Sequence, residues 1–229
     1  MSKLGDQLAK LIPLEFILDF EESVRAAGRL ARTTVRDIPL GTRARPRIVG
    51  QLRTAMIENG LIDIAHQTGF LGEEVGVVEG TKVYLHQAFV QVGRIVAVRA
   101  SMPAPGMLPN KNKSRKRLVE ELNRHIDGSA DLFEATAGKP STTAPVAVFL
   151  LVCPDKRAED GIGQIAIAIV DSRHDEFRFY ETLEAFKSRY APAPEIVEEP
   201  PLIARKQVAA FQPPEEASDC DIETDSRPG

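Results

Sequence analysis

Eight arginines fall in a short stretch near the N-terminus, at Arg25, Arg29, Arg32, Arg36, Arg43, Arg45, Arg47 and Arg53, with no lysine among them. The stretch holds a single carboxylate, Asp37, so eight cations against one anion give it a formal charge of +7 in a chain whose net charge is −4. The first four stand 4, 3 and 4 residues apart. On a helix advancing about 100° per residue they lie within roughly 60° of one another and form one cationic stripe. A guanidinium presents a planar fork of donors that matches phosphate or carboxylate oxygens in pairs, which an ammonium does not. The chemistry these residues suggest is therefore recognition of an anion.

A second cluster runs from Lys111 to Arg117 and places five cations, Lys111, Lys113, Arg115, Lys116 and Arg117, in seven residues. With Ser114 as a cap, Arg115, Lys116 and Arg117 enter the first turn of a helix. There the helix dipole favours anions by about 0.3–1 kcal/mol each, so three cations oppose it and a bound anion would reverse the sign. Two plainer explanations compete for both clusters. Exposed arginines can pair with neighbouring carboxylates, although such pairs contribute only about 0–1 kcal/mol each. Arginine is also enriched in protein–protein interfaces, including those of homodimers.

Other chemistry is weakly represented. The order helix, Asn59-Gly60, short helix, hairpin over residues 44–88 is that of a winged helix-turn-helix. Within it, Leu61-Ile62-Asp63-Ile64-Ala65-His66-Gln67-Thr68-Gly69-Phe70 resembles part of a helix-turn-helix of the arabinose-regulator type. The resemblance covers about ten residues and implies DNA reading, but the would-be reading helix has no cation. An ordinary buried helix explains the segment better. Asp155 and Asp171-Ser172-Arg173 are similar to the acidic motif of restriction-endonuclease-like nucleases. Across an antiparallel hairpin, however, the two carboxylates sit at opposite ends, some ~26 Å apart, and share no metal. His66, His86, His125 and His174 are scattered without metal-ligand spacing. Cys153 closes an apolar run and reads as a small buried hydrophobe. No metal site or cofactor is expected, catalytic residues are unknown, and whether the chain is an enzyme stays open, with the balance toward no.

These residues need elements to hold them. Apolar residues at threes and fours predict helix from Asp6 to about Asp37, interrupted near Pro13, and a second helix from Pro46 to Asn59, where Asn59-Gly60 reads as a stop. Residues 61–67 then add a turn or two. The period changes to two at Val75–Val78 and Thr81–Ala88, a hairpin, and at Val92–Ser101. A helix over 114–127 ends at Gly128, and 138–144 is a polar loop. Strands at 146–153 and 162–170 follow, the second apolar enough to be central, and a last strand and helix reach Tyr190. The expected class is α+β: N-terminal helices over 1–72, then a mainly antiparallel sheet with covering helices over 73–190, in one compact body.

Residues 191–229 are rich in Pro and Glu, with three cations against nine carboxylates, and read as a disordered acidic tail. The remainder is mildly basic. With no apolar run near the ~20 residues of a membrane span, no secretory signal and only two cysteines, Cys153 and Cys220, the chain is expected in the cytoplasm, away from membranes. The leading expectation is a non-enzymatic nucleic-acid-binding or accessory protein that contacts phosphates through the arginine face and the basic loop. One alternative is a protein-interaction module, or a subunit of an assembly, whose arginines meet an acidic partner or a second copy. Another is an enzyme acting on a phosphorylated or nucleotide substrate.

Overall fold

The computed structural model describes residues 2–127 and 144–190. Its first helix, α1 (Lys3–Leu11), stops where Pro13 supplies no N–H, and Pro13 becomes the extended N-cap of α2 (Leu14–Arg36). Phe16, Phe20, Val24, Ala27, Ala31 and Val35 put one face of α2 inside. The third helix, α3 (Ala44–Gln67), runs without a break through Asn59 and Gly60. The expected stop there is corrected, and the reason is packing. A Cβ on Gly60 would lie 2.1 Å from Ser23 Oγ of α2, so the glycine lets two helices approach and ends neither. With no turn at this point there is no helix-turn-helix. The would-be reading segment is the last part of α3, with Leu61, Ile64 and Ala65 buried in the core.

A six-stranded sheet receives these helices. Its strands are β1 (Leu71–Glu73), β4 (Phe89–Val92), β5 (Ile95–Ser101), β6 (Val146–Pro154), β7 (Ile162–Val170) and β8 (Phe177–Thr182), in that spatial order. Between β1 and β4 the chain makes a small separate hairpin, β2 (Gly76–Val77) with β3 (Tyr84–Leu85). Every neighbouring pair in the six-stranded sheet is antiparallel except β5–β6, which is parallel. A parallel pair cannot be closed by a tight turn. The chain between β5 and β6 accordingly leaves the sheet and carries α4 (Lys113–Leu122).

Alternation along the strands divides the core in two. Ile95, Ala97, Val148, Leu150, Ile165 and Ile167 face α1, α2, α3 and a short α5 (Leu183–Lys187). Val96, Val98, Ala147, Phe149, Ala166 and Ala168 face α4 and the β2–β3 hairpin. Both faces are covered, which explains why β6 and β7 are apolar at nearly every position. The expected interior place of residues 162–170 is observed. The helix expected from a Ser114 cap starts two residues early, because Asn112 caps it instead, its Oδ1 accepting the Arg115 N–H at 2.7 Å. The helical stretch then finishes as a single tight turn over Arg124–Ile126. The predicted stop at Gly128, most of the 138–144 loop and the tail from 191 lie outside the described residues. Asn123, fully buried, donates to the carbonyls of Ala147 and Val170 and accepts from the Ala147 N–H, pinning this end of α4 to two strands.

Helix α2 also touches the turn joining β6 to β7, where a Cβ on Gly28 would stand 2.1 Å from the Asp160 carbonyl oxygen. Alanine at a helical glycine normally stabilises by about 1 kcal/mol. Here the backbone contact reverses the sign, and Gly28→Ala should lower unfolding free energy by about 1–3 kcal/mol in denaturant titrations. At the opposite end of β7, His174 is fully buried at φ +61°, its Nε2 3.1 Å from the Pro109 carbonyl and its ring against Phe149. Burial pushes its pKa below 6.5, with Lys111 and Arg115 adding to the effect. Protons therefore bind the unfolded chain more readily, and stability present above the unfolded pKa declines as pH falls below it. His174→Asn should flatten the stability profile between about pH 7 and 5, measured by chemical denaturation.

Candidate functional site

The stripe on α2 divides into an inward and an outward half. Arg25 donates from Nη1 to Asp160 Oδ2 at 3.0 Å and from Nε and Nη2 to Glu21 Oε1 at 3.2 and 3.1 Å. Glu21 also accepts from Lys187 Nζ at 2.7 Å. Burial alone would raise the Glu21 carboxyl, but these hydrogen bonds outweigh it and hold the group below its ordinary value. Asp160 behaves alike: burial raises it, and the Ile162 N–H and Arg25 overcome that and lower it.

Seven residues and about two turns further on, Arg32 spreads its fork over the carbonyls of the β6–β7 turn. Nη1 donates to Ala158 and Glu159 at 2.6 and 2.9 Å, and Nη2 donates to Asp155 and Lys156 at 3.3 and 3.2 Å. Arg53, from α3, donates to the Gly161 carbonyl at 3.0 Å in the same turn. Gly161 sits at φ +76°, and a Cβ there would meet the Arg32 guanidinium at 2.9 Å. Arg25, Arg32 and Arg53 thus join the helical layer to one end of the sheet.

The remaining five arginines point outward around the α2–α3 connector. Arg36 pairs with the exposed Asp37 at 3.4 Å, and Arg45 donates to the Ile38 carbonyl at 3.4 Å. The side chains of Arg29, Arg43 and Arg47 have no hydrogen bond or ion pair among the described residues, and all three are exposed. The first turn of α3 contains no acid, and its N-cap position is Arg43, with no side-chain cap.

In the second cluster, Lys111 pairs with Asp175 and Arg117 with Glu121 at 2.9 Å. Lys113 and Lys116 are exposed with no such partner among the described residues. The first turn of α4 is also free of acids. Arg115 departs from its neighbours. It folds back to donate from Nη1 to the Asn110 carbonyl at 3.1 Å, and burial depresses its pKa.

Around Arg115 the fold brings together residues that the sequence scatters. Arg99, near the end of β5, is only 5% exposed and donates from Nη2 to Ser101 Oγ at 2.7 Å. Burial takes its pKa down to about 10, with Glu58 opposing the fall and Arg115 and Arg53 adding to it. Arg53 is lowered by burial and by Arg32, against the pull of Asp160. Glu58 of α3 is raised by burial, with Arg99 and Arg115 pulling the other way. The charge of Arg32 thus reaches Arg53, and those of Arg53 and Arg115 reach Arg99. The Nε atoms of Arg53, Arg99 and Arg115 are each buried with no acceptor among the described residues.

Arg99, Ser101, Glu58 and Asp160 had no place among the residues singled out from sequence. The available signal was an arginine interrupting the run Ile95-Val96-Ala97-Val98, in step with the inward-facing Ile95 and Ala97. Among the described residues no group of three or more His, Cys, Asp and Glu side chains could hold a metal ion. Asp155 and Asp171 stand at opposite ends of the antiparallel β6–β7 pair, as the spacing required. Cys153 is a free, buried thiol whose pKa burial pushes up, with Asp155 adding to the effect.

Taken as a class, the described residues make a three-layer α+β protein in which Arg25, Arg32 and Arg53 hold the helical layer to the β6–β7 turn and the other five arginines of the stretch are exposed. Comparison with protein-family models, with characterised proteins and with solved structures found no match.

The inward arginines should matter for stability and the outward ones should not. Asp160→Ala removes the acceptor of both Arg25 and the Ile162 N–H, and should cost about 1.5–3 kcal/mol near pH 7. Because the Asp160 pKa is lowered, that difference persists above 3.8 and is lost as pH falls through the depressed value. Arg29→Ala should stay within about 0.5 kcal/mol of the wild type in the same denaturant titrations.

Proposed function

We propose that this is a non-enzymatic nucleic-acid-binding or accessory protein that grips phosphates with the exposed cations of the α2–α3 connector. Arg29, Arg36, Arg43, Arg45 and Arg47 form the principal contact, and Lys113, Lys116 and Arg117 at the start of α4 form a second one. The observation that carries this reading is that the exposed side chains of Arg29, Arg43 and Arg47, on α2, the connector and the start of α3, have no hydrogen bond or ion pair among the described residues, while the stretch's one carboxylate, Asp37, is paired with Arg36. Two helices that begin with cations and no acids support it, since an anion at either start relieves the conflict with the helix dipole. Such contacts position a protein on a backbone without reading bases, so binding is largely sequence-independent. No described helix is long and apolar enough to cross a membrane, and the free Cys153 thiol suits a reducing cytoplasm.

One observation favours the protein-interaction reading. Leu30 and Ile38 are 54% and 40% exposed beside Arg29, Arg36 and Arg45, and apolar residues mixed with arginine are the composition of a protein interface. Titration of the full chain with duplex and single-stranded DNA and RNA across a salt series separates the two. A phosphate binder weakens steeply, by about 0.9 in log–log slope for each duplex phosphate contact and about 0.7 for single strands. Arg43→Glu with Arg47→Glu should flatten the duplex slope by roughly 1.8. Absence of binding at low salt, together with a concentration-dependent dimer in sedimentation, would overturn the nucleic-acid reading in favour of a self-interface.

A further inference from the structure

We infer that the outer face of the β2–β3 hairpin is a docking surface for a second copy of this chain, and that it receives the α2–α3 connector of that copy. The hairpin has two unlike faces. Val78, Val83 and Leu85 are buried in the core on the α4 side of the sheet. Alternation turns Val77 and Tyr84, which stand directly opposite each other, the other way. They are 51% and 44% exposed, and Val75, two residues before Val77, is 49% exposed. The Tyr84 ring lies 4.7 Å from that of His86, which is exposed as well. Scattered apolar residues are ordinary on a surface, whereas neighbours grouped on one face mark an interaction site.

Charge selects the occupant. The side chains of Glu73, Glu74 and Glu79 have no hydrogen bond or ion pair among the described residues, and Lys82 is the one lysine or arginine between Glu73 and His86. Helix α4 packs against β3, yet its Lys113 and Lys116 pair with no hairpin carboxylate, and its Arg117 is held by Glu121. Two hairpins face to face would oppose like charges, so the face suits apolar residues set among cations. The connector is such a surface: Leu30 and Ile38 are exposed beside Arg29, Arg36 and Arg45, with Arg43 and Arg47 adjoining. Tyrosine on one side and arginine on the other are side chains enriched in interfaces. Within one molecule the two surfaces cannot meet. Helix α3, 24 residues and ~36 Å long, has the connector before its start and the hairpin after its end. The hairpin and the α2–α3 pair also cover opposite faces of the sheet. The contact therefore runs head to tail between copies, leaving a free hairpin and a free connector for further copies unless the assembly closes.

Self-association stands without the nucleic-acid reading, although it draws on the same arginines and so competes with phosphates for them. Sedimentation velocity of the full chain over a concentration series, in low and high salt, tests it. The weight-average mass should rise with concentration and fall as salt is added, since the paired charges are exposed. Growth past two copies reports an open chain of contacts, and a halt at a fixed number reports closure. Glu74→Arg with Glu79→Arg should weaken association roughly tenfold or more while leaving nucleic-acid binding in place. Arg43→Glu with Arg47→Glu should weaken association as much, and so should Tyr84→Ala, which changes no charge. An equimolar mixture of the two charge-reversed variants should associate again, because each presents the complement of the other, a result that misfolding does not produce. A chain that stays monomeric throughout in low salt, association undiminished by either charge reversal, or a mixture that fails to associate would overturn the docking. If the mixture associates while the wild-type chain binds no nucleic acid in low salt, the nucleic-acid reading falls and the docking stands.

Discussion

A sheet whose inner strands are apolar on both faces must be covered on both, and that constraint organises this protein. Strands β6 and β7 present buried residues in two directions, so a single helical layer would leave half of them in water. The α1–α3 helices and α5 close one face, and α4 with the β2–β3 hairpin closes the other. The requirement also accounts for the one parallel pair. Chain leaving β5 must cross the sheet before β6 begins, and in crossing it carries α4 to the uncovered side. Buried Asn123 then fixes the C-terminal end of α4 through three hydrogen bonds to strand backbone.

Hydrophobic covering is non-directional, so it leaves the helical layer free to slide. The β6–β7 turn removes that freedom. Arg32 binds four of its carbonyls, Arg53 binds a fifth, Arg25 binds the Asp160 carboxylate, and Gly28 allows the backbone of α2 to come within contact. Forked donors with fixed geometry suit this work, because each arginine holds several acceptors at once in one orientation. Part of the arginine excess is thus explained by anchoring. The rest is exposed, and among the described residues the side chains of Arg29, Arg43 and Arg47 have no hydrogen bond or ion pair.

Much of the architecture was legible in the chain because it follows from periodicity. Repeats of three and four gave α1 and α2, alternation gave β5 and β7, and the apolar density of 162–170 gave its interior position. The failure at Gly60 is instructive. Asn-Gly ordinarily stops a helix, and nothing local distinguishes a glycine kept for its φ from one kept for its missing Cβ; Ser23, 37 positions earlier, makes the difference. A similar limit applies to two tetrapeptides that look alike, Val92-Gly93-Arg94-Ile95 and Ile162-Gly163-Gln164-Ile165. Gly93 turns between strands at φ +57°, while Gly163 lies inside β7.

The sequence by itself determined that eight arginines and one carboxylate concentrate a charge of +7 in one stretch, that one helix begins against its own dipole, and that helices precede a largely antiparallel sheet. Composition and short-range spacing suffice for those statements, since they concern neighbours along the chain. Only the tertiary structure decided which arginines are anchors and which remain available. Arg25 and Arg29 differ by about 40° around one helix, and the position of a turn more than a hundred residues away determines which of them is claimed. It alone buried Arg99 within reach of the charges of Glu58, Arg115 and Arg53, because charge acts through space and burial strengthens it, and neither distance nor burial is written in the order of residues.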